Sequence, residues 1–201
     1  MSKFIINQIT ILSFILLFSW SASAQGLYLK GALGGTHQGS NSFMGGSVDY
    51  QGSMLGSLMF SVGMNWGQYF VTELEFSSRT VDLDYVNGTP AMGEVSAGML
   101  GVNGLFNIPI GLHHRGFIGM GFGVLGVEMT DDLTGNFADG SQLARQYIVG
   151  AETAVSPRFD VSFELRHLVT DNLRLSGTSG AWGERFNYKN TSMLLGLKYN
   201  F

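Results

Sequence analysis

The 201-residue chain contains no cysteine, so neither a disulfide framework nor thiolate chemistry can belong to its mechanism. Charge is scarce as well. Asp, Glu, Lys and Arg make up 13% of the residues, against a usual share of about 25%, which leaves too little to coat a soluble surface. What charge there is leans acidic, 15 carboxylates against 11 basic residues, and this argues against a nucleic-acid partner. Beyond residue 24 no apolar run approaches the length of a membrane helix. Only helices and closed barrels satisfy their backbone groups in hydrocarbon, so a membrane location for this part of the chain requires a barrel.

Glycine is abundant, with 29 residues, and period-2 alternation runs through most of the chain. The last nine residues, M-L-L-G-L-K-Y-N-F, set Met193, Leu195, Leu197, Tyr199 and Phe201 on one face, with Gly196, Lys198 and Asn200 between them. A strand that is greasy on one side up to its final residue suits the closing strand of a transmembrane barrel, with lipid on one face and lumen on the other. At the other end, Lys3, the apolar stretch Ile9 to Trp20 and the small-x-small site Ala22-Ser23-Ala24 before Gln25 read as a secretory signal peptide. Thr10, Ser13 and Ser19 interrupt the stretch, which is short for a retained anchor, the alternative reading. The expected organisation is a signal peptide over 1–24 and one barrel domain over 25–201.

Alternation predicts eight strands near 26–35, 52–65, 69–85, 94–107, 115–129, 143–156, 159–171 and 190–201. In the second, Leu58, Phe60, Val62 and Met64 alternate with Ser57, Ser61, Gly63 and Asn65; in the seventh, Val161, Phe163 and Leu165 alternate with Ser162, Glu164 and Arg166. Connections alternate too. Those near 66–68, 108–114 and 157–159 are short, whereas 36–51, 86–93, 130–142 and 172–189 are mostly longer and rich in Gly, Ser, Asn and Asp. Outer-membrane barrels have short periplasmic turns and long external loops, so both termini are expected in the periplasm. Trp66, Tyr69, Phe106, Phe117, Phe159 and Tyr199 fall where an aromatic girdle would lie. A soluble ligand-binding barrel also alternates, but with an apolar interior and a charged exterior. Here the polar face is mainly Gly, Ser and Asn, which suits a crowded lumen.

The segments Y-L-K-G-A-L-G-G (28–35), F-I-G-M-G-F-G-V (117–124), V-G-A-E-T-A-V-S-P-R-F-D-V-S-F-E-L-R-H (149–167) and the C-terminal strand resemble the small outer-membrane barrels of the OmpA, OmpX and opacity-protein type, a porin-like β-barrel domain. The resemblance covers essentially all of residues 25–201. It implies an all-β, eight-stranded antiparallel up-and-down transmembrane barrel in the outer membrane of a Gram-negative bacterium. It further implies that Phe201, with Tyr199 and Leu197, is read by the outer-membrane assembly machinery, and that adhesion or envelope integrity is a plausible role. No peptidoglycan-binding domain follows Phe201, so wall anchoring is not implied.

Seven charged residues at inward parity form the candidate site: Lys30, Glu73, Glu75, Glu152, Glu164, Arg166 and Lys198. Either register considered for the hairpin at Pro157 brings Arg166 diagonal to or directly opposite Glu152, where an ion pair can form. Such charges either gate a pore or plug one. An eight-stranded barrel is just wide enough for side chains to fill, which favours the plug. Gly121, Gly123 and Gly126 spell G-x-G-x-x-G, but the run continues a strand instead of opening a helix, so no dinucleotide and no other cofactor is expected. His113 and His114 are adjacent, would face opposite ways on a strand and could not share a metal. Asp131, Asp132 and Asp139 lack the EF-hand spacing for Ca²⁺, and no metal is expected. His37, Asp131, Asp132 and Ser141, expected on external loops, leave one enzymatic alternative, a Ser-His-acid site acting on lipid A or another outer-leaflet lipid. The expected function is non-enzymatic: a monomeric barrel of structural, surface-interaction or small-solute-permeation type, contacting membrane lipid and, through its loops, a host or surface ligand.

Two outcomes follow for cells. N-terminal sequencing of the membrane-assembled protein should begin at Gln25. Deleting Phe201 should lower the heat-modifiable, assembled fraction in cells far more than it lowers refolding into detergent.

Overall fold

The computed structural model describes residues 26–38, 50–51, 55–86, 89–131, 136–174, 176–177 and 185–201. Among these, eight long strands form an antiparallel ring: β1 (Leu27–Gln38), β2 (Leu55–Trp66), β3 (Phe70–Val86), β4 (Thr89–Pro109), β5 (His114–Asp131), β6 (Asn136–Ala154), β7 (Phe159–Arg174) and β8 (Arg185–Asn200). Each pairs with its neighbour in sequence, and β8 pairs with β1, so the ring closes without an edge. Two-residue strands, Tyr50–Gln51 and Ser176–Gly177, add to β3 and β6 at their far ends.

Following directly opposed residues once around the ring gives Gln38, Asn190, Leu168, Gln146, Gly121, Asn103, Glu73, Gly63 and Tyr28. The path returns to β1 ten residues from its start (38 − 28 = 10), so the barrel has a shear of ten. Eight strands with that shear tilt by about 40° and enclose a space that side chains fill. Close approach needs glycine in places. A Cβ on Gly63 would collide with the Tyr28 ring, and one on Gly121 with Asn103 Oδ1, so these two positions admit inward side chains from the adjoining strands. Gly121 and Gly123 therefore serve lumen packing on β5, within a strand that runs on past Gly126.

Three tight connections, the start of β1 and Phe201 lie at one end of the barrel. Gly67 adopts φ 80°, a left-handed backbone that favours glycine, in the turn that closes on the Trp66–Phe70 pair. In the turn before β7, Ser156 Oγ accepts from the backbone N–H groups of Arg158 (3.3 Å) and Phe159 (3.0 Å). Around this end Trp66, Tyr69, Phe70, Phe106, Phe159 and Phe201 are exposed; Tyr69 stacks on Phe106 with centroids 5.8 Å apart, and Tyr199 meets Phe159 and Phe201 at 5.2 and 5.1 Å. Phe117 departs from the expected girdle. It has inward parity on β5, is buried, and packs with Tyr28, Val71, Leu105 and Ile148.

The opposite end differs from the sequence expectation. β3 to β6 run 17, 21, 18 and 19 residues, well past the nine to eleven or so that cross a bilayer, and take up most of what reads as loop at 86–93 and 130–142. The pairing of Val86 with Thr89 leaves only Asn87-Gly88 between strands, a dipeptide suited to a tight hairpin. In these extensions the amphipathic sense inverts. Lower on β5, Ile118, Met120, Phe122 and Val124 face out and glycines face in; higher up, Leu125, Val127 and Met129 face in and Glu128 faces out. Val95, Ala97 and Met99 on β4 join that inner set with Ala144, Leu168, Leu173 and Tyr188, so this side of the interior is apolar, whereas Thr36, Ser57, Ser77 and Arg79 keep the side formed by β1 to β3 polar.

Between girdle and extensions, the outer wall carries an apolar belt that includes Leu33, Phe60, Val102, Phe122, Phe163 and Leu195. Leu195 lies midway along β8 between Tyr199 and Thr191, flanked by Leu33 and Phe163. With the belt in hydrocarbon, Leu195→Arg should cost about 2–4 kcal/mol and Thr191→Arg, at the belt's edge, about 0–1. Urea unfolding of both variants refolded into phospholipid bilayers measures the difference.

Candidate functional site

Period-2 alternation sends every second side chain of each strand into the lumen, and the register decides which of them meet. All seven charged residues singled out by parity are buried there, in two layers.

The central layer is built around Arg166 on β7. Its Nε donates to Glu164 Oε2 at 2.8 Å, Nη2 to the same oxygen at 2.7 Å, Nη1 to Glu75 Oε2, and Nη2 lies 3.6 Å from Glu73 Oε2. Lys30 on β1 closes the other side, 2.5 Å from Glu73 Oε1 and 3.1 Å from Glu164 Oε1. Neutral donors add to the carboxylates, although Glu75 Oε1 is buried without a hydrogen-bond partner. Asn103 and Gln146 donate to Glu75 Oε2 at 2.6 and 2.8 Å, Tyr28 to Glu73 at 2.8 Å and Ser162 to Glu164 at 3.0 Å. The charged side chains are at most 2% exposed, and the contacts join β1, β3, β4, β6 and β7 across the lumen.

The second layer lies at the end bearing the three tight turns and Phe201. Lys198 pairs with Glu152 and, at 3.0 Å, with Asp160; Arg115 pairs with Glu152 and, at 2.8 Å, with Asp160; Asn200 donates to Asp160 at 3.0 Å. Lys198 also lies 4.7 Å from the centroid of the Tyr28 ring. Between the layers is a cavity of about 10 Å³, lined by Tyr28, Lys30, Glu73, Phe117, Glu152 and Lys198 among others. That is room for roughly one water molecule.

The expected pairing of Arg166 with Glu152 is corrected. The β6–β7 hairpin sets Ala154 opposite Asp160, which places Arg166 opposite Ile148 and Glu152 opposite Ser162. Arg166 is thereby withdrawn toward the barrel's middle, and Glu152 meets Lys198 and Arg115 instead. Arg115 and Asp160 were legible by parity, since they share it with Phe117 and with Ser162. Their roles depend on the directly opposed pairs Arg115–Glu152 and Asp160–Lys198, which strand pairing alone creates.

The residues considered for a lipid-acting site are not on loops as expected. His37 is on β1 and Ser141 on β6, both exposed, with β8 and β7 between their strands in the ring. Asp131 ends β5, while its side chain and Asp132 lie outside the described residues. His167 Nδ1 is 2.9 Å from Thr191 Oγ1, and His114 Nδ1 is 2.8 Å from Thr153 Oγ1. No group of three potential metal ligands occurs among the described residues.

A model of the family described as outer membrane protein beta-barrel domain matches residues 10–201. Among solved structures, Neisserial surface protein A superimposes with a TM-score of 0.61 at 12% identity, covering 90% of this chain and 100% of that one. The outer membrane protein AlkL, solved in lipid bilayers, gives 0.61 at 14% identity, covering 91% and 93%. The outer membrane protease OmpT from Escherichia coli gives 0.52 at 10% identity, covering 92% and 99%. At such identities these structures are similar in fold alone. No curated protein matches the sequence.

Removing Arg166 strands Glu75 and Glu164 without their shared cation. Arg166→Ala should destabilise the refolded barrel by about 3–5 kcal/mol. Arg145→Ala, which breaks an exposed 2.7 Å pair with Asp171, should cost at most about 1 kcal/mol. Combining Arg166→Ala with Glu164→Gln should recover part of the loss in the same urea titration.

Proposed function

The chain belongs to the outer membrane protein β-barrel domain family, and from that premise we propose that it is a sealed, non-enzymatic barrel whose work is done by its wall and its outer end, not by conduction. The observation that carries this reading is the Arg166-centred layer, where charged side chains from opposite walls meet with no exposed surface. A solute crossing the lumen would have to part ion pairs that burial makes costly to separate. Beyond that layer the buried side chains of an apolar cluster from β4 to β8 fill the lumen further.

In this reading the end with the short turns and both termini faces the periplasm, and the tall extensions of β3 to β6 project from the cell. They present a stiff polar surface to a host or surface ligand, while the apolar belt contacts lipid as a monomer. The C-terminal residues Leu197, Tyr199 and Phe201 serve assembly. A lipid-acting site made from His37 and Ser141 is disfavoured by their placement on strands separated by two others.

Planar-bilayer recording tests the proposal. The wild-type protein should give no stable unitary conductance, and Arg166→Ala should raise the frequency of brief openings. A steady unitary conductance from the wild type would establish a pore. Mass spectra of lipid A should be the same with and without the protein.

A further inference from the structure

Charge on the outer wall beyond the apolar belt is unevenly distributed. On β3 to β5 the outward residues at this level are small or acidic, among them Asp82, Glu94 and Glu128, and no cation among the described residues there faces out. The cations are on β6 to β8. Arg145 and Lys189 are exposed, and both directly oppose Val169, one from each neighbouring strand, so all three share the outward face. Two strand spacings set their Cα atoms about 10 Å apart, within reach of one tetrahedral anion for both heads. Val169 is buried despite its outward parity, as expected where the stems of two long cations lie across a small apolar side chain and leave their charged ends in solvent. Arg145 also donates from Nη2 to Asp171 at 2.7 Å. Both members of that pair are about half exposed, so it is weak, and the guanidinium has further N–H groups for a second acceptor.

The place of this pair along the strands decides what kind of anion reaches it. One outward step toward the belt lie Tyr147, His167 and Thr191, directly opposed in turn, with His167 Nδ1 2.9 Å from Thr191 Oγ1. Such amphipathic side chains suit the headgroup level of a membrane. One step further are Val149, Leu165 and Met193, again directly opposed and part of the apolar wall. A soluble anion would make no use of that wall, whereas a lipid with phosphate on its head would use the cations and the wall together. The acidic face of β3 to β5 would repel the same lipid, so the barrel has one preferred side for it.

We propose that Arg145 and Lys189 clamp the phosphate group of an outer-leaflet lipid of the lipid A class, whose acyl chains rest on Val149, Leu165 and Met193. The inference rests on the reading that the belt lies in hydrocarbon with the strand extensions outside the cell. It does not depend on whether the lumen conducts.

Bisphosphorylated lipid A is the probe. The full-length protein is refolded into nanodiscs of zwitterionic phospholipid doped with it, then released into mild detergent, and the lipid that stays bound is counted by native mass spectrometry. Wild type should retain one lipid A, and should retain the fully dephosphorylated lipid about twenty-fold less, with each cation contributing about fivefold. Arg145→Gln and Lys189→Gln should each lower retention about fivefold. Asp171→Asn, which removes the competing carboxylate, should raise it, and Glu128→Gln on the acidic face should leave it unchanged. Equal retention of the two lipids by wild type, undiminished retention in the Arg145→Gln/Lys189→Gln double variant, or capture of inorganic phosphate or a soluble polysulfated glycan by these cations in place of lipid A would overturn the proposal. The comparison of the two lipids needs only wild-type protein. Because the probe is present in both leaflets of the disc, the result is independent of which end faces the cell exterior, and fractionation of the protein away from the outer membrane would undo the functional reading without altering it.

Discussion

Everything in this molecule follows from the requirement that no backbone N–H or C=O face hydrocarbon unpaired. Pairing β8 with β1 removes the last free edge, and from there the geometry has little freedom. Eight strands and a shear of ten set the tilt and the bore. The bore is narrow enough that opposing side chains touch, so the polar residues sent inward by alternation must satisfy one another. The Arg166 layer answers most of that demand: three carboxylates from two strands gather on one guanidinium and one ammonium, and two amides donate to Glu75 Oε2.

Neutrality is the second consequence. The lumen charges are Lys30, Arg79, Arg115, Arg166 and Lys198 against Glu73, Glu75, Glu152, Asp160 and Glu164, an even balance that a low-dielectric enclosure requires. The central layer by itself sets three carboxylates against Lys30 and Arg166, and Arg79, buried beyond it, completes the balance. Such networks add less to stability than their contacts suggest, because desolvation offsets attraction. Their clearer effect is on register. A shift by one residue would turn Glu73, Glu75, Glu164 and Arg166 out into the lipid.

The inversion of amphipathic sense along β4 and β5 reports where the surroundings change. Below Leu100 and Val124 on these strands the outside is apolar and the inside is polar or glycine apart from Leu105 and Phe117; above them Glu94 and Glu128 face out while Val95, Met99, Leu125 and Met129 face in. One strand thus serves two environments, first a lipid-facing wall and then a water-facing one, and the adjacent apolar pairs Met99-Leu100 and Val124-Leu125 mark the crossing. The same inversion explains why these stretches resemble loops when read alone. Their outward residues are small and polar because they meet water, not because the chain has left the sheet.

The sequence by itself determined the fold class, the strand count and which way most side chains point, because alternation has a period of two and a closed barrel turns parity into inside and outside. The seven inward charges were legible for that reason, as were the outward Leu195 and Leu197. Tertiary structure decided which inward residues meet. Arg166 sits opposite Ile148 and not beside Glu152 because the turn after Ala154 starts two residues earlier than either register read from the chain, and parity is blind to shifts of two. It also decided the fate of Phe117 and Arg79: the aromatic is buried over Gly150, directly opposite it on β6, and the cation sits beyond the central layer, opposite Ser57 and bonded to Ser192.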